Sequence, residues 1–537
     1  MPKKAIISIF LIYFIPRVIG LGFDIYNYDA DYWYPRMENF TKYLLRGDFK
    51  NTYQKYHPGV TLLWTSGTST YIFEKSFQAV FKQSDQNPRF KPHVFPYLHL
   101  ATKIPLVTII SLLGLLIYSS LSKMVDKKFA LIFSIVLSLE PFFLGVSRFL
   151  HLSALTAMFM FASFAVLLEH YITKRKDYRY FVFSAILLGL GILTKIDALI
   201  VLPINGLCIA FYKFRESISR YKIINLIKNG LLYLIITAGI FYALFPSMWI
   251  APAWTLHSMY EDGIKDTAFS SSGAETLLGI RYLFYPETIF FRSLPTFFIG
   301  IIGGIFLLIN GKKLIASHKL KRENLPVLLW TAFYILFNIV ILTIPEKIKD
   351  RYAINLYPPL AVFTSLFIYI AIKSKNQIYK WIVIGSFGFF YLLTIYRYHP
   401  VYSAYYSDFI KGPGGYEKLG LSLKNRGEFY AQIAQYINKN DPKASEKKVI
   451  ISERERIKTF LPFFYGEPFT NPKYMNDGSN ADYIITEPQN EHLIEDTDLK
   501  DKCRLERGFG PKDPLSYSIL KLYKCQGIDN SYTNFKN

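Results

Sequence analysis

The feature that most constrains the fold of this chain is a series of eleven long apolar stretches separated by short polar connections. A helix needs roughly 20 mainly apolar residues to cross the hydrocarbon core of a bilayer. Stretches of about this length lie at 5–22, 103–121, 129–146, 150–170, 179–194, 196–212, 224–247, 289–309, 325–344, 351–372 and 381–397. The sequence therefore predicts a polytopic α-helical membrane protein with about eleven spans.

The composition agrees with a membrane protein and excludes two other classes. Of the 537 residues, 51% are hydrophobic and 19% are charged, which is too apolar for a disordered chain. The chain has 62 Lys and Arg against 40 Asp and Glu, a formal net charge of +22. This surplus lies in short clusters between apolar stretches, which is typical of a membrane protein and not of a nucleic-acid-binding tail. We expect the bilayer as a partner, and no nucleic acid.

The positions of the basic clusters predict the orientation of the chain. One cluster precedes the first predicted span, and another follows each even-numbered span, at 123–128, 174–179, 213–222, 312–322 and 373–380. If every stretch crosses once, all six lie on one side, as the positive-inside rule requires. We expect a plasma-membrane protein with a cytoplasmic amino terminus and an extracytoplasmic carboxy-terminal part. The first stretch lacks a small-x-small cleavage site, so we expect it to stay attached.

The sequence predicts a membrane domain at 1–397 with two long outer loops, at 23–102 and 248–288. In the first loop, apolar residues recur at helical spacing over 32–45, and Gly47 suits the end of that helix. An aromatic segment at 60–81, interrupted by Gly67 and polar residues, is typical of a helix that lies in the membrane interface.

The part of the chain at 398–537 predicts a small extracytoplasmic α/β domain. A run with helical spacing at 429–438 is followed by short β-branched runs at 449–452 and 483–486. Cys503 and Cys525 lie in this domain, where an oxidising environment allows them to pair, although the sequence alone leaves their pairing open.

Ionisable residues gather at the outer ends of the predicted spans. A charged group at membrane depth is costly, so each of these residues is a candidate functional group. They are Arg17, Asp29, Asp31, His57, Arg148, His151, Lys195, Lys347, Lys349, Asp350 and Arg351. A pair of carboxylates that faces several cations can activate a hydroxyl group while it stabilises an anionic leaving group.

Seven groups of motifs occur in order at the loop boundaries and carry a family resemblance. The first is Asp29-x3-Trp33-x2-Arg36 followed by Tyr56-His57-Pro58-Gly59. The others are Ser147-Arg148-Phe149-Leu150-His151-Leu152, Gly189-Leu190-Gly191-Ile192-Leu193-Thr194-Lys195, Phe245-Pro246-Ser247-Met248-Trp249, Arg292-Ser293-Leu294-Pro295, Lys347-x2-Asp350-Arg351-Tyr352, and Tyr405-Tyr406 ahead of Gly414-Gly415. Over about residues 1–420 the chain resembles membrane glycosyltransferases of the GT-C fold. The most similar families are the dolichyl-phosphate-mannose–protein mannosyltransferases and the aminoarabinose–lipid A transferases.

The resemblance implies a reaction on the extracytoplasmic side. Members of these families move a sugar from a polyprenyl-phosphate donor to an acceptor hydroxyl with inversion, and a carboxylate of the first outer loop is the general base. The acceptor is a protein, a glycolipid or a growing glycan. By this likeness Asp29 is the base, with Asp31 as the alternative. Substrate would be bound by Arg36, His57, Arg148, His151, Lys195, Lys347, Arg351 and Tyr352, and the lipid chain would lie in a groove between spans.

Two departures from the family pattern concern a metal ion. Many relatives have Asp-Glu at the first motif, where Ala30 follows Asp29 in this chain, and relatives commonly have an Asp where this chain has Ser153. A divalent metal held by paired carboxylates would therefore need Glu140 or Asp350 as a substitute. The sequence leaves the metal requirement open.

Other readings of the same residues remain open. Asp29 or Asp31 can cap the helix at 32–45, and the His-Pro-Gly turn can be a backbone device. Arg17, Arg148 and Lys347 can be cations that extend from span ends to the interface. The whole chain can instead be a transporter of lipid-linked sugars, or a non-catalytic protein that binds polyprenyl phosphate. A transporter, however, typically has internal repeats and midplane charges, and the sequence shows neither pattern convincingly.

Overall fold

A computed structural model describes residues 2–81, 87–173, 177–214, 220–268, 276–316, 321–345, 347–469, 481–491, 494, 499–512 and 517–528 of the protein. Some predicted features lie outside these residues. They are Lys174–Lys176, Arg215 and Lys319 of the basic clusters, residues 82–86 and 269–275 of the two outer loops, and several parts of the predicted carboxy-terminal domain.

The part of the chain up to residue 398 is a bundle of α-helices. The first half contains α1 (Lys3–Val18), α2 (Ala30–Leu45), α3 (Val60–Leu62), α4 (Thr68–Phe81), α5 (Phe95–Met124), α6 (Lys127–Leu139), α7 (Pro141–Val146), α8 (Ser153–Ile172), α9 (Arg179–Thr194), α10 (Val201–Phe214) and α11 (Arg220–Leu244). The second half contains α12 (Pro246–Ile250), α13 (Pro252–Ala268), α14 (Phe284–Arg292), α15 (Pro295–Ile309), α16 (Gly311–Ala316), α17 (Leu325–Thr343), α18 (Tyr357–Ile372) and α19 (Gln377–Tyr398).

The helices confirm a polytopic membrane protein. Within the described residues, seven helical segments are long and apolar enough to cross a membrane, and two shorter apolar helices are α9 and α15. The seven are Phe95–Met124, Ser153–Ile172, Ile196–Phe214, Ile223–Leu244, Arg322–Thr343, Asp350–Ile372 and Gln377–Tyr398. Each of the eleven predicted stretches contains a helix, but α1 has 16 residues and α6 has 13. The count of eleven spans therefore stays a prediction.

Two helices form the centre of the bundle. The apolar windows of α8 and of the segment Asp350–Ile372 are 83% and 94% buried within the protein, whereas the window of Ile223–Leu244 is only 17% buried. A helix that is buried on all faces is apolar all round, as α8 is. This central position fixes the outer ends of α8 and α18, which carry residues of the candidate site.

The segment at 23–102, for which we keep the predicted name first outer loop, contains α2, α3 and α4. Helix α2 covers the predicted helical run and ends before Gly47, whose φ is +72°. The segment after Gly59 is a single helical path through α3 and α4, joined by a π-helical turn at Leu63–Gly67. The predicted interruption at Gly67 is thus a change of helical pitch. In this turn the Thr65 and Thr68 hydroxyls donate to carbonyl groups four residues earlier, which is typical of a distorted helix.

The carboxy-terminal part contains a small α/β domain, as predicted. It has α20 (Gly412–Lys418), α21 (Tyr430–Asn440), α22 (Ile457–Phe460) and α23 (Leu499–Lys502), with strands β1 (Lys448–Ile451), β2 (Glu467–Phe469), β3 (Ala481–Thr486), β4 (Cys503–Phe509) and β5 (Leu520–Ile528). The strand order is β2-β1-β3-β5-β4, with β1 parallel to β2 and β3 and the other pairs antiparallel. Cys503 lies opposite Cys525 on β4 and β5, and the two form a disulfide.

The carboxy-terminal domain packs directly on the first outer loop. On α21, the Gln432 side-chain amide donates to the Asp24 carbonyl oxygen at 2.6 Å, and the Gln435 amide donates to the Phe23 carbonyl oxygen at 3.0 Å. The Lys458 ammonium lies 3.0 Å from the Asp31 carboxylate. The domain therefore borders the region in which the sequence predicts the active site.

Candidate functional site

A cavity of about 610 Å³ lies between the first outer loop, the segment before α18 and the carboxy-terminal domain. Of the residues that the structure describes, nine Lys or Arg side chains line it, with two carboxylates, those of Asp29 and Asp350. Seven of the ten predicted site residues line it. They are Asp29, Arg36, His57, His151, Lys195, Lys347 and Arg351. A cavity with such an excess of cations attracts anionic ligands.

Asp29 precedes the first residue of α2 and points its carboxylate into this cavity. Its side chain makes no capping hydrogen bond to the helix and instead forms an ion pair with Arg351. Burial on its own raises the pKa of the Asp29 carboxyl, but the charges of Arg351 and Arg426 outweigh it and hold the pKa well below its usual range. Asp29 is therefore ionised at neutral pH.

His151 lies beside Asp29 in the turn before α8. Its Nδ1 accepts a hydrogen bond from the Ser153 backbone N–H at 3.1 Å, and its Nε2 is 3.9 Å from the Asp29 Oδ1. Burial lowers the pKa of His151 well below its usual value, and the nearby Arg351 adds to the effect. The imidazole is thus neutral. Because Nδ1 accepts, its proton is on Nε2, which faces Asp29.

The segment at 347–351 brings three cations to the cavity. Lys349 is extended, with φ −138° and ψ 141°, and a 3₁₀ helix at Asp350–Leu356 then leads into α18. The Asp350 carboxylate accepts the Arg351 backbone N–H at 2.8 Å and also pairs with Arg426. Burial, with the charges of Arg351 and Lys347, lowers the pKa of Lys349 to about 8. This group gives up its proton more readily than an ordinary lysine.

The His57-Pro58-Gly59 turn is held against the end of α9. The Gly59 backbone N–H donates to the Thr194 carbonyl oxygen at 3.1 Å, and the hydroxyls of Thr61 and Thr194 are 2.7 Å apart. This contact sets His57 near Lys195, the residue that follows Thr194. Both side chains line the cavity.

Lys195 has two partners at the edge of the cavity. Its ammonium forms an ion pair with Asp197 and lies 4.1 Å from the centre of the Tyr352 ring. Tyr352 does not line the cavity but lines an adjoining, more apolar pocket of about 420 Å³. The two spaces share Tyr56, His57 and Lys347 as lining residues. A polar cavity and an apolar pocket therefore meet at this point.

Two predicted residues lie away from the cavity. Arg148 is buried, and its Nε is 2.9 Å from the Asp24 carboxylate. Its Nη1 donates to the carbonyl oxygens of Pro16 and Ile19, so it binds the end of α1. Asp31 pairs with Lys458 at 3.0 Å and lies 3.7 Å from Arg89. Arg148 and Asp31 thus each link separate segments of the protein and do not line the cavity.

The carboxy-terminal domain supplies cavity residues that the sequence did not predict. Lys424, Asn425 and Arg426, in the connection that leads to α21, line the cavity, as does Arg456 farther along the chain. Their local sequence is an ordinary polar stretch, with neither a motif nor a predicted span end beside it. Only the folding of the carboxy-terminal domain onto the outer loop brings them to Asp29.

The cavity residues that the structure describes do not fit a divalent metal ion. Asp29 and Asp350 are each paired with an arginine, whereas a metal site needs several free oxygen or nitrogen ligands. Glu140 is buried elsewhere, where it accepts hydrogen bonds from the Leu294 backbone N–H and the Tyr391 hydroxyl. Among the described residues, no group of three or more His, Cys, Asp or Glu side chains is placed to hold a metal.

Several solved structures are similar to this chain over most of its length. ArnT from Cupriavidus metallidurans, bound to undecaprenyl phosphate, is 12% identical, with a TM-score of 0.46 and 98% of each chain covered. The oligosaccharyltransferase of Archaeoglobus fulgidus, in complex with zinc and sulfate, is 14% identical, with a TM-score of 0.45; the match covers 91% of this chain and 68% of that one. The archaeal oligosaccharyltransferase AglB from the same organism, in complex with an inhibitory peptide and a dolichol-phosphate, is 12% identical, with a TM-score of 0.42 and coverages of 96% and 74%.

The sequence itself matches one family. No curated protein matches the chain by sequence. Residues 66–256, however, match the sequence model of the family described as dolichyl-phosphate-mannose-protein mannosyltransferase. This region contains α4 to α12 and three of the motif groups named above. The match confirms the predicted resemblance of this chain to those mannosyltransferases.

Proposed function

We propose that this protein is an integral membrane glycosyltransferase that moves a sugar from a polyprenyl-phosphate donor to an acceptor hydroxyl, with inversion at the sugar carbon. Asp29 is the general base, and cations of the same cavity bind the donor phosphate. The observation that carries the proposal is the cavity itself. It places the ionised Asp29 carboxylate among a ring of cations and adjoins an apolar pocket.

The two adjoining spaces suit the two halves of such a donor. A polyprenyl-phosphate sugar has a charged head and a long apolar chain. Lys347 lines both spaces, so a phosphate beside Lys347 and Lys195 would have its lipid chain in the apolar pocket, against Ile200, Ile341 and Leu342. The sugar would then lie in the polar cavity, towards Asp29 and Trp33. The pocket offers the chain apolar surroundings like those of the bilayer, so the chain can enter it without exposure to water.

The chemistry requires one proton acceptor and one anion-binding group. The acceptor oxygen attacks the anomeric carbon while the bond from that carbon to the phosphate oxygen breaks, and the electron pair leaves with the polyprenyl phosphate. The acceptor proton passes to the Asp29 carboxylate. Because the phosphate is already a stable leaving group, it needs cations and no general acid. A positioned base typically contributes about 10²–10⁴ in rate.

Arg351 can bind both the general base and the donor phosphate. In the free protein it pairs with Asp29, which keeps this carboxylate ionised. A donor phosphate that enters the cavity competes for the same guanidinium. Asp29 then loses part of its stabilising partner and becomes a stronger base when the donor is present. Removal of the acceptor proton is therefore favoured only when the donor occupies the site.

The experiment that tests the function measures transfer from purified polyprenyl-phosphate sugars to the acceptors of a membrane extract, with the full-length protein in proteoliposomes. We expect Asp29→Asn to lower the rate about 10²–10⁴-fold, the usual contribution of a general base. The matched control is Asp31→Asn, two residues away and outside the cavity lining, which should retain turnover. Loss of turnover in Asp31→Asn but not in Asp29→Asn would assign the base to Asp31. Wild-type protein that binds donors without transferring sugar would support a non-catalytic binding protein, and net movement of donor across the bilayer would support a transporter.

We place the cavity on the extracytoplasmic side of the plasma membrane. The basic clusters support this orientation, as does the Cys503–Cys525 disulfide, since disulfides persist in oxidising compartments. A membrane-impermeant maleimide should label Asn440→Cys, an exposed position on α21, in intact cells. It should label Lys375→Cys, between α18 and α19, only after permeabilisation. The reverse pattern would overturn the orientation.

A further inference from the structure

The loop at 423–428, which we call the tail loop, connects the carboxy-terminal domain to both segments that carry the proposed reacting groups. The Arg426 backbone carbonyl accepts the Tyr28 backbone N–H at 3.0 Å, one residue before Asp29. The Arg426 guanidinium pairs with Asp350, one residue before Arg351. One residue of the carboxy-terminal domain is thus bound to the neighbours of both Asp29 and Arg351.

The tail loop is itself a fixed structure. The Asn425 side-chain oxygen accepts the backbone N–H groups of Gly427 and Glu428, at 2.8 Å and 3.0 Å. The Glu428 carboxylate accepts the Ser403 hydroxyl at 2.8 Å and also the Arg426 backbone N–H. These bonds hold Arg426 from both sides, so its carbonyl and its guanidinium are presented in one defined geometry.

Gly427 allows the tail loop to approach the outer loop closely. Its φ is +109°, which L side chains rarely adopt, and a Cβ atom there would lie 2.6 Å from the Tyr26 carbonyl oxygen and 3.0 Å from Thr459. The backbones of the two loops are therefore in direct contact just before Asp29. This contact leaves no room for a side chain at position 427.

We propose that Arg426 is a positioning residue of the transfer reaction, which fixes the position of Asp29 relative to Arg351 across the cavity. The proposal rests on the function proposed above and assigns the carboxy-terminal domain a direct part in catalysis. Asp29 and Arg351 belong to segments more than 300 positions apart in the chain, so local structure alone does not set the distance between them. Arg426 binds both segments, so the distance from the base to the phosphate-binding cation is fixed through it.

Electrostatics supports the same role. The charged and titratable groups that face Asp29 are Arg36 from α2, His151 from the turn before α8, Lys349 and Arg351 from the segment before α18, and Arg426 from the tail loop. Burial acts to raise the pKa of Asp29, and the charges of Arg351 and Arg426 act to lower it. Removal of the Arg426 charge should therefore raise this pKa, which moves the loss of activity on acidification to higher pH.

The test compares Arg426→Gln with wild type in proteoliposomes. A misplaced reacting group costs up to about 10²-fold in rate, so we expect kcat to fall about 10–100-fold while KM for the donor changes little. The acid limb of the pH–rate profile should move to higher pH, and Arg426→Lys should restore part of kcat. A variant with wild-type kcat and an unmoved acid limb would overturn the proposal. A variant that loses activity only through a raised KM would show that Arg426 binds substrate instead.

A pair of glycine variants separates loop position from charge. Gly427→Ala keeps every charged group but pushes the tail loop away from Tyr26, so it should lower kcat. Gly420→Ala is the matched control, because Gly420 also has positive φ, at +76°, but open space around its Cβ position. We expect this control to keep wild-type kcat. Equal losses in the two variants would contradict a role for the close contact.

Hydrogen exchange tests the positioning role without reference to catalysis. In Gly427→Ala, the backbone amides at 26–31 should exchange faster than in Gly420→Ala, because the bond from Tyr28 to Arg426 is weakened. In Arg426→Gln, amides at 347–352 should exchange faster than in wild type. Unchanged exchange in both peptides would refute the proposal. Absence of turnover by wild-type protein, with exchange changed as expected, would refute the proposed function alone.

Discussion

Lys349 is a cavity residue whose charge should change near physiological pH. It is partly buried beside Arg351 and Lys347, and its pKa is lowered to about 8. The ammonium is thus charged below this pH and neutral above it. If Lys349 helps to bind the donor phosphate, kcat/KM for the donor should fall as the pH rises through about 8, since this ratio reports on the free enzyme.

Lys349→Arg should remove this fall, because a guanidinium stays charged far above this range. The matched control is Lys75→Arg, an exposed lysine of α4 outside the cavity, which should keep the wild-type profile. The measurement is the pH dependence of kcat/KM between about pH 6 and pH 10. A high-pH limb that remains in Lys349→Arg would assign it to another group.

The sequence predicted those site residues that stand at span ends or in motifs. Asp29, Lys195 and Arg351 are costly charges at membrane boundaries, and the cavity brings these three together. Arg426 carries no such signal, because an arginine in a soluble domain is common and its charge has no large desolvation cost. The role of Arg148 was also invisible in the sequence, since its partner Asp24 is 124 positions away. Local patterns report on membrane depth but not on long-range ion pairs.

At the scale of elements, the His-Pro-Gly turn depends on the absence of a side chain at Gly59. The φ of Gly59 is +61°, and a Cβ atom there would lie 2.4 Å from the ring of Trp33. The Arg36 guanidinium in turn lies over the ring of Trp33, 4.8 Å from the ring centre. The turn, α2 and the cavity wall are thus packed against one another at this one position.

We predict that Gly59→Ala destabilises the protein by about 1–3 kcal/mol, the usual cost of overpacking, and lowers transfer activity because Trp33 must move. Gly47→Ala on the same outer loop is the control, because Gly47 also has positive φ, at +72°, with nothing within 4 Å of its Cβ position. Thermal unfolding in detergent and transfer rate are measured for both. Similar effects of the two substitutions would show that the strained φ matters and the contact with Trp33 does not.

Element types were predictable where periodicity was strong. Helix α2, helix α21 and strands β1 and β3 lie where the apolar spacing placed them. The lengths of the first and third predicted spans were less predictable. Pro141 starts α7 and forces Glu140 out of helical geometry, with ψ 116°, so α6 ends after 13 residues. An apolar stretch defines what is buried, but a single proline decides where its helix stops.

At the scale of the whole molecule, the site lies where three parts of the chain meet. The first outer loop supplies Asp29, the segment before α18 supplies Arg351, and the carboxy-terminal domain supplies Arg426. The apolar pocket adjoins this meeting point and is lined by residues just before α10, on α13 and at the end of α17. A membrane enzyme with this layout can keep the lipid chain of its donor within the bilayer while the sugar reaches an aqueous cavity.

The apolar pocket gives the last prediction, which concerns the length of the donor lipid. Ile200 lines the pocket, whereas its neighbour Leu199 is 42% exposed and does not line it. Ile200→Trp should fill the pocket and raise KM about tenfold for a long polyprenyl-phosphate donor, since displacing a packed chain costs roughly 1–3 kcal/mol. KM for a short, soluble donor should not change, because a short chain does not reach the filled space. Leu199→Trp is the matched control and should leave KM for both donors as in wild type. Donor titrations in proteoliposomes measure these values, and an equal rise of KM for long and short donors in Ile200→Trp would contradict a lipid-binding role for the pocket.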